Sequence, residues 1–157
     1  MKNKLALWLG MMFLCVTLMA QNSLNLIPIP QQMTEAGGSF VMGKVMLETP
    51  VWQDQWQKFV ADAGGTIVPK SSRKIEVKLV PEVQGAKLNQ EEAYRLVVSS
   101  KGVLVEATTE KGVYWALQTL RQLEQKDGRF KACEIVKSPH LKEAYRNGIT
   151  HYKLGCG

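Results

Sequence analysis

EEAYRLVVSSKGVLVEATTEKGVYWALQTLRQLE, residues 91–124, is the stretch that decides the fold of this chain. Apolar and polar residues alternate on both sides of SSKG, residues 99–102. A period of two is typical of strands that bury one face, and the SSKG sequence suits a tight turn. The stretch therefore predicts a β-hairpin whose inward side chains are Tyr94, Leu96, Val98, Val103, Val105 and Ala107.

The second half of the same stretch changes to a helical period. Thr109 suits the N-cap, and Glu110 places an acidic side chain at the positive end of the helix dipole. Apolar residues then recur at intervals of three and four, and Asp127 with Gly128 supplies the stop. The predicted buried stripe of this helix is Val113, Ala116, Leu117, Leu120 and Leu123.

An earlier helix is predicted in TPVWQDQWQKFVADAGG, residues 49–65. Thr49 can cap it, Pro50 suits the first helical position, and Gly64 supplies the stop. Two tryptophans can form a platform for sugar rings, but at helical spacing they indicate a buried stripe. The predicted stripe is Trp52, Trp56, Phe59, Val60 and Ala63.

The remaining segments predict strands. RKIEVKLV, residues 73–80, turns Ile75, Val77 and Leu79 inward, and RFKACEIV, residues 129–136, forms the last strand. NLIPIPQQMTEAGG predicts an extended, edge-like segment because its alternate prolines exclude a helix, and SFVMGKVMLE predicts a strand pair bent at Gly43. Together these elements predict an α+β fold, a two-layer sandwich with one mainly antiparallel sheet and two amphipathic helices on one face.

The first 20 residues, MKNKLALWLGMMFLCVTLMA, predict a secretory signal peptide. Lys2 and Lys4 precede the uncharged apolar run of residues 5–20, which is shorter than the roughly 20 residues of a membrane-spanning helix. We predict cleavage after Ala20 and an exported protein, periplasmic or extracellular, with no membrane span. A lipid anchor on Cys15 is the less favoured alternative.

The charge of the mature chain is mild. Removing two lysines leaves 18 of the 20 basic residues against 14 acidic ones, a net charge of +4. These charges are scattered and form no block of five or six, so no nucleic-acid partner is expected. Export permits a disulfide between Cys133 and Cys156, but the sequence does not place the two cysteines together, and their pairing stays open.

No residue pattern in the chain predicts a catalytic site, a metal or a cofactor. His140 and His151 lack the spacing of metal ligands, and Ser138 lies in no G-x-S-x-G turn. The glycine pairs lack the patterns that hold phosphate. Glu91 and Glu92 could raise each other's pKa if buried, but their polar neighbours predict a solvated surface.

Three segments carry a resemblance to a known family. They are LIPIPQQMTEAGGSF, the stretch of residues 91–123, and CEIVKSPHLK. They include an E-x-Y-x-L strand at Glu92, Tyr94 and Leu96, and a G-x-x-x-(G/A)-L-x-T-L-x-Q-L helix that starts at Gly112. Over residues 26–142 the chain resembles the amino-terminal domain of bacterial β-N-acetylhexosaminidases, the family 20 glycoside hydrolases.

The resemblance implies that the chemistry belongs to a (β/α)₈ barrel that follows this domain, and that a glycan is bound only through that barrel. The family's barrel uses an adjacent Asp-Glu pair, and no Asp-Glu dipeptide occurs in this sequence. The family's sugar-holding arginine is followed directly by glycine; Arg146 is the only candidate for it in this sequence, and here Asn147 intervenes before Gly148. We therefore expect a hexosaminidase-like domain at residues 21–142 and a truncated tail at 143–157, where the barrel would begin.

Two functions follow from these observations. The chain is expected to be the non-catalytic leading domain of an exported β-N-acetylhexosaminidase, inactive by itself. The alternative is a free-standing periplasmic carbohydrate-binding or protein-interaction module. Burial of Trp52, Trp56 and Trp115 against the sheet favours the first function, whereas exposure of two of them on one face favours the second.

Overall fold

The computed structural model describes residue 26 and residues 30–87, 89–125 and 127–138. The predicted signal peptide, its cleavage site and Cys15 lie outside these residues, as do His140, Arg146, His151 and Cys156. The described helices are α1 (Gln53–Asp62) and α2 (Glu110–Gln122), and a 3₁₀ turn covers Gln90–Glu92. The strands are β1 (Gln32–Val41), β2 (Lys44–Glu48), β3 (Thr66–Ile67), β4 (Lys74–Leu79), β5 (Tyr94–Ser99), β6 (Gly102–Ala107) and β7 (Arg129–Lys137).

The seven described strands form one sheet in the order β1-β7-β5-β6-β4-β2-β3. The pairs β1–β7, β7–β5 and β5–β6 are antiparallel. The pairs β6–β4, β4–β2 and β2–β3 are parallel, so the sheet is mixed. A parallel pair needs a crossover, and the segment with α1 supplies one between β2 and β4. The predicted α+β sandwich with two helices is confirmed, and the parallel half is a feature that the sequence did not indicate.

Both helices pack into one hydrophobic core with one face of the sheet. The ring of Phe59 on α1 meets that of Phe130 on β7 at 5.7 Å between centroids, and it meets the Trp56 ring at 6.0 Å. On the other helix, the buried hydroxyls of Thr119 and Tyr94 share a hydrogen bond. Burial raises the pKa of Tyr94 well above its ordinary value, so the phenol stays neutral in this bond.

The predicted hairpin and the helix after it are confirmed. The Thr109 side chain caps α2 by accepting hydrogen bonds from the backbone N–H groups of Lys111 and Gly112, at 3.2 and 3.5 Å. Gly112 lets the helix lie close to the sheet, because a Cβ there would be 2.4 Å from the Ala93 carbonyl oxygen. All six predicted inward residues of the hairpin and all five of the helical stripe are buried.

The predicted start of the first helix is wrong. Thr49 does not cap α1, because its hydroxyl donates to the Val51 carbonyl at 2.6 Å and holds a separate turn. The helix begins three residues after Pro50, and Trp52 occupies the N-cap position with a left-handed backbone, φ 57 and ψ 38. Trp52 therefore lies outside the buried stripe, which consists of Trp56, Phe59 and Val60 with Ala63 packed against it.

Two strand predictions also need correction. The segments on either side of Gly43 form β1 and β2, but these strands do not pair with each other, since β1 pairs with β7 and β2 with β4 and β3. Leu79 was predicted to point inward, yet it is 45% exposed, whereas Ile75 and Val77 are buried. Leu79 is the last residue of β4, where the alternation of buried and exposed side chains ends.

The other face of the sheet carries ion pairs, as the alternation of β4 predicted. Arg95 on β5 bonds Glu106 on β6 at 2.8 Å and Glu134 on β7 at 2.7 Å. Lys74 on β4 reaches Glu76 at 3.1 Å, and this hydrogen bond lowers the pKa of the Glu76 carboxyl. The Arg95 pairs neutralise charge across neighbouring strands, and the Lys74–Glu76 pair does so along β4, at a water-exposed face.

Candidate interaction surface

Three large aromatic side chains lie exposed beside one another on the helix side of the domain. Trp52 is 36% exposed, Tyr114 42% and Trp115 37%. The centroids of Trp52 and Tyr114 are 6.0 Å apart, and those of Tyr114 and Trp115 are 5.5 Å apart. We call Trp52, Tyr114 and Trp115 the aromatic patch.

The first turns of α2 position two members of the patch. Tyr114 and Trp115 fall between the buried residues Val113 and Ala116, so they occupy the part of the helix that the core stripe leaves outward. Adjacent residues on a helix point about 100° apart, and the two rings meet edge to face at 70°. Helical geometry thus keeps both rings at the surface while their neighbours anchor the helix.

Trp52 joins the patch through an unusual backbone conformation. A φ of 57 is uncommon for a bulky residue and costs roughly 1–3 kcal/mol, which the surrounding structure has to offset. The indole N–H of Trp52 donates to the Glu110 carbonyl at 3.0 Å, and the ring packs on Tyr114. These contacts tie the start of α1 to the first turn of α2 across 58 residues of sequence.

The patch lies at the end of the sheet where the last described strand finishes. Tyr94, the first residue of β5, pairs with Ala107 at the end of β6 and with Lys137 at the end of β7. Ala107 leads within three residues into α2, and β4 ends at Leu79, which also pairs with Ala107. The start of α2 and the end of β7 are therefore neighbours, and we call this the exit end of the sheet.

Two polar residues at the exit end are buried. Lys137 is 3% exposed, and burial lowers the pKa of its ammonium group to about 8. The hydroxyl of Ser138 is buried and has no hydrogen-bond partner among the described residues. A hydroxyl without a base beside it is not an activated nucleophile, which agrees with the absence of a G-x-S-x-G turn around Ser138.

The other candidate groups are structural. Glu91 is solvent-exposed as predicted and pairs with Lys111, and the carboxylate raises the pKa of that lysine. Cys133 is buried, and burial raises the pKa of its thiol to about 11, so it is not a reactive thiolate at neutral pH. No group of three potential metal ligands occurs within the described part of the chain.

Burial of Trp52, Trp56 and Trp115 is the criterion that separates the leading domain from the free-standing module, and the three residues differ in their burial. Trp56 is fully buried, while Trp52 and Trp115 are both exposed in the aromatic patch. By the criterion stated above, the exposure of two tryptophans on one face counts towards the second function, the free-standing binding module. The position of Trp115 was readable from the sequence, since it lies off the α2 stripe, but the position of Trp52 depended on the misassigned start of α1.

Among the described residues, no helix is both long and apolar enough to cross a membrane. A comparison with family profiles matches residues 23–136 to "Glycosyl hydrolase family 20, domain 2". The match covers both helices and all strands except the end of β7. No protein among those with curated functions matches the chain.

Several solved structures share the fold. A family 20 exo-β-N-acetylglucosaminidase from Vibrio harveyi, solved in complex with N-acetylglucosamine, is 23% identical, with a TM-score of 0.54 over 73% of this chain and 19% of its own. A chitobiase from Flavobacterium johnsoniae is 22% identical, with a TM-score of 0.54 over 74% of this chain and 21% of its own. A β-N-acetylhexosaminidase from Streptomyces coelicolor A3(2) is 20% identical, with a TM-score of 0.53 over 73% and 26%. At these identities the likeness shows the fold, and the matched part spans about a quarter or less of each of these three proteins.

Proposed function

Because this chain belongs to glycosyl hydrolase family 20 through its domain 2, we propose that it is the non-catalytic leading domain of an exported β-N-acetylhexosaminidase. Such an enzyme removes terminal N-acetylhexosamine residues from glycans. The observation that carries the proposal is the family match, which spans 114 residues (23 to 136) and leaves only the ends of the chain unmatched. Its role is structural, to pack beside the catalytic barrel and support the folding of that barrel.

The charges of the described residues support a non-catalytic role. Glycoside hydrolysis needs one carboxyl group that protonates the leaving oxygen and a second group that acts on the opposite face of the sugar. The carboxylates near Arg95 and Lys74 are held in ion pairs on the exposed face of the sheet. In the proposed enzyme, a separate (β/α)₈ barrel supplies both catalytic groups and the glycan-binding site.

The proposal includes the parts of the chain that lie outside the described residues. Residues 1–20 act as the signal peptide that directs export to the periplasm or the medium, and residues 21–142 are the leading domain. Residues 143–157 are the segment where the barrel would begin, and Arg146 within it is the proposed contact to the terminal sugar. Sequencing of the mature amino terminus tests the first point, and a start at Gln21 is expected.

Turnover measurements test the functional assignment. We expect residues 21–157 to hydrolyse no chromogenic N-acetylglucosaminide, while the full-length Streptomyces coelicolor enzyme serves as the positive control. The barrel of that enzyme, produced without its own leading domain, should gain thermal stability when this chain is added or attached. Turnover by the chain alone that one carboxylate-to-amide change abolishes would refute the proposal, as would a barrel that gains no stability from the chain.

A free-standing carbohydrate-binding or protein-interaction module is the second candidate function. The observation in its favour is the exposure of Trp52 and Trp115, since aromatic faces can stack on sugar rings. Titration calorimetry of residues 21–157 with N-acetylglucosamine oligomers separates the two candidates. The leading-domain proposal predicts nothing tighter than about millimolar, and micromolar binding would favour the module.

A further inference from the structure

We infer that the aromatic patch is the surface on which the catalytic barrel of the same enzyme packs. This inference rests on the proposed function, because it names the contact surface for the partner which that function requires. The position, the chemistry and the geometry of Trp52, Tyr114 and Trp115 each favour this partner.

The position of the patch favours a partner that follows in the chain. A domain attached after Ser138 starts at the exit end of the sheet, because Lys137 pairs with Tyr94 there. The same end holds the first turns of α2 and therefore Tyr114 and Trp115. A following domain can thus cover the patch without a linker that crosses the sheet.

Two exposed apolar residues at the opposite end of the sheet can be compared with the aromatic patch. Val41 and Ile67 are also large, apolar and exposed, at 41% and 39%. Val41 pairs with Arg129 at the start of β7, and Ile67 pairs with Val45 near the start of β2. Since they lie at the end remote from Ser138, a barrel packed at the exit end leaves both residues exposed.

The chemistry of the patch suits a protein surface. Clustered tryptophan and tyrosine side chains are enriched in the cores of protein interfaces, where each can bury 150–250 Å². The only polar atom of the Trp52 ring, Nε1, is already bonded to the Glu110 carbonyl. An apolar partner can therefore cover this ring without stripping water from an unpaired donor.

The geometry of the patch is poorly suited to a sugar chain. The planes of Trp52 and Tyr114 are inclined by 51°, and those of Tyr114 and Trp115 by 70°. Rings that stack on successive sugars would have to present roughly coplanar faces, whereas these rings form a corrugated surface. Such a surface fits the ridges of packed helices and loops better than it fits the face of a pyranose ring.

Buried polar groups at the exit end support the same partner. The hydroxyl of Ser138 lacks a hydrogen-bond partner among the described residues, and the Lys137 side chain is almost fully buried. A polar group of the following domain that reaches the Ser138 hydroxyl would satisfy it, since a buried hydroxyl is costly to leave without a hydrogen bond.

The first experiment compares side-chain accessibility with and without the barrel. Residues 21–157 are joined to the barrel of the Streptomyces coelicolor enzyme, and hydroxyl-radical footprinting is read by mass spectrometry on the joined protein and on the chain alone. Labelling of Trp52, Tyr114 and Trp115 should fall at least threefold in the joined protein, while labelling of Val41 and Ile67 should stay unchanged. Unchanged labelling of the patch in a folded joined protein would overturn the inference.

The second experiment measures affinity when the two parts are separate molecules. Trp115→Ala and Trp52→Ala should each weaken binding of the barrel by about thirtyfold, the threshold effect of an interface hot spot. Val41→Ala and Ile67→Ala are matched controls and should change the dissociation constant by less than twofold. Circular dichroism of each variant confirms folding, and Trp115→Phe provides a milder change at the same position.

The outcomes separate this inference from the proposed function. If the unchanged chain neither binds nor stabilises the barrel, the proposed function fails. If it binds with the same affinity after Trp52→Ala and Trp115→Ala, the proposed function stands and the docking surface is elsewhere. If N-acetylglucosamine oligomers protect the patch from labelling and the barrel does not, the occupant is a glycan and the inference is wrong.

Discussion

Leu120→Ala tests whether α2 anchors the fold as its stripe predicts. Leu120 is fully buried in the core that joins both helices to the sheet. The change deletes three carbon atoms, worth about 2 kcal/mol of lost burial at roughly 0.8 kcal/mol for each group. The remaining cavity adds to this, because the cap at Thr109 and the close contact at Gly112 hold the helix in place. We expect a loss of about 3 kcal/mol, within the range of about 2 to 5 kcal/mol for buried leucines.

Urea unfolding of residues 21–157, followed by the fluorescence of the tryptophans, measures this loss. In thermal unfolding of the same protein, the melting temperature should fall by about 12 °C, at about 4 °C for each kcal/mol in a domain of this size. Arg121→Ala, one position further along the helix, alters an exposed side chain and should cost less than about 0.5 kcal/mol. A loss below about 0.5 kcal/mol for Leu120→Ala would refute the assignment of the stripe to the core.

Three further outcomes follow from the packing and the ionisation of the domain. Gly112→Ala should destabilise the domain by about 1–3 kcal/mol, because the new Cβ would clash with the Ala93 carbonyl. Gly37→Ala is the control, since its Cβ would have no neighbour within 4 Å, and it should be nearly neutral in the same urea titration. Cys133 should react with iodoacetamide at pH 8 far more slowly in the native protein than in urea, since its pKa is raised to about 11; equal rates, read from the labelled peptide by mass spectrometry, would show that the thiol is accessible. Lys137 has a pKa of about 8 in the folded protein, so the unfolded chain binds more protons than the folded one between about pH 8 and 10.5. The contribution of this residue to the free energy of unfolding should therefore rise with pH across that window. The rise should be absent from Lys137→Met, and parallel stability profiles for the two proteins would contradict the prediction.

The sequence by itself determined the hairpin and the helix that follows it. Their faces are set by local periods of two and 3.6 residues, and the cap at Thr109 depends on atoms only two or three residues apart. The α+β class followed from these faces, because each apolar side had to be buried against another element. The resemblance to family 20 was carried by the same locally encoded segments.

Only the tertiary structure decided the pairing of β2, β4 and β6 and the exposure of Leu79. Parallel partners are chosen through long crossovers, and the local pattern of a strand does not specify which neighbour it meets. The first residue of α1 also could not be found from the helical period. The Thr49 hydroxyl bonds to the Val51 carbonyl instead of capping the helix, and Trp52 then lies at the N-cap and outside the buried stripe. The aromatic patch exists because folding brings Trp52 to Glu110 and Tyr114, a contact between segments that are 58 residues apart in sequence and therefore carry no local signal of each other.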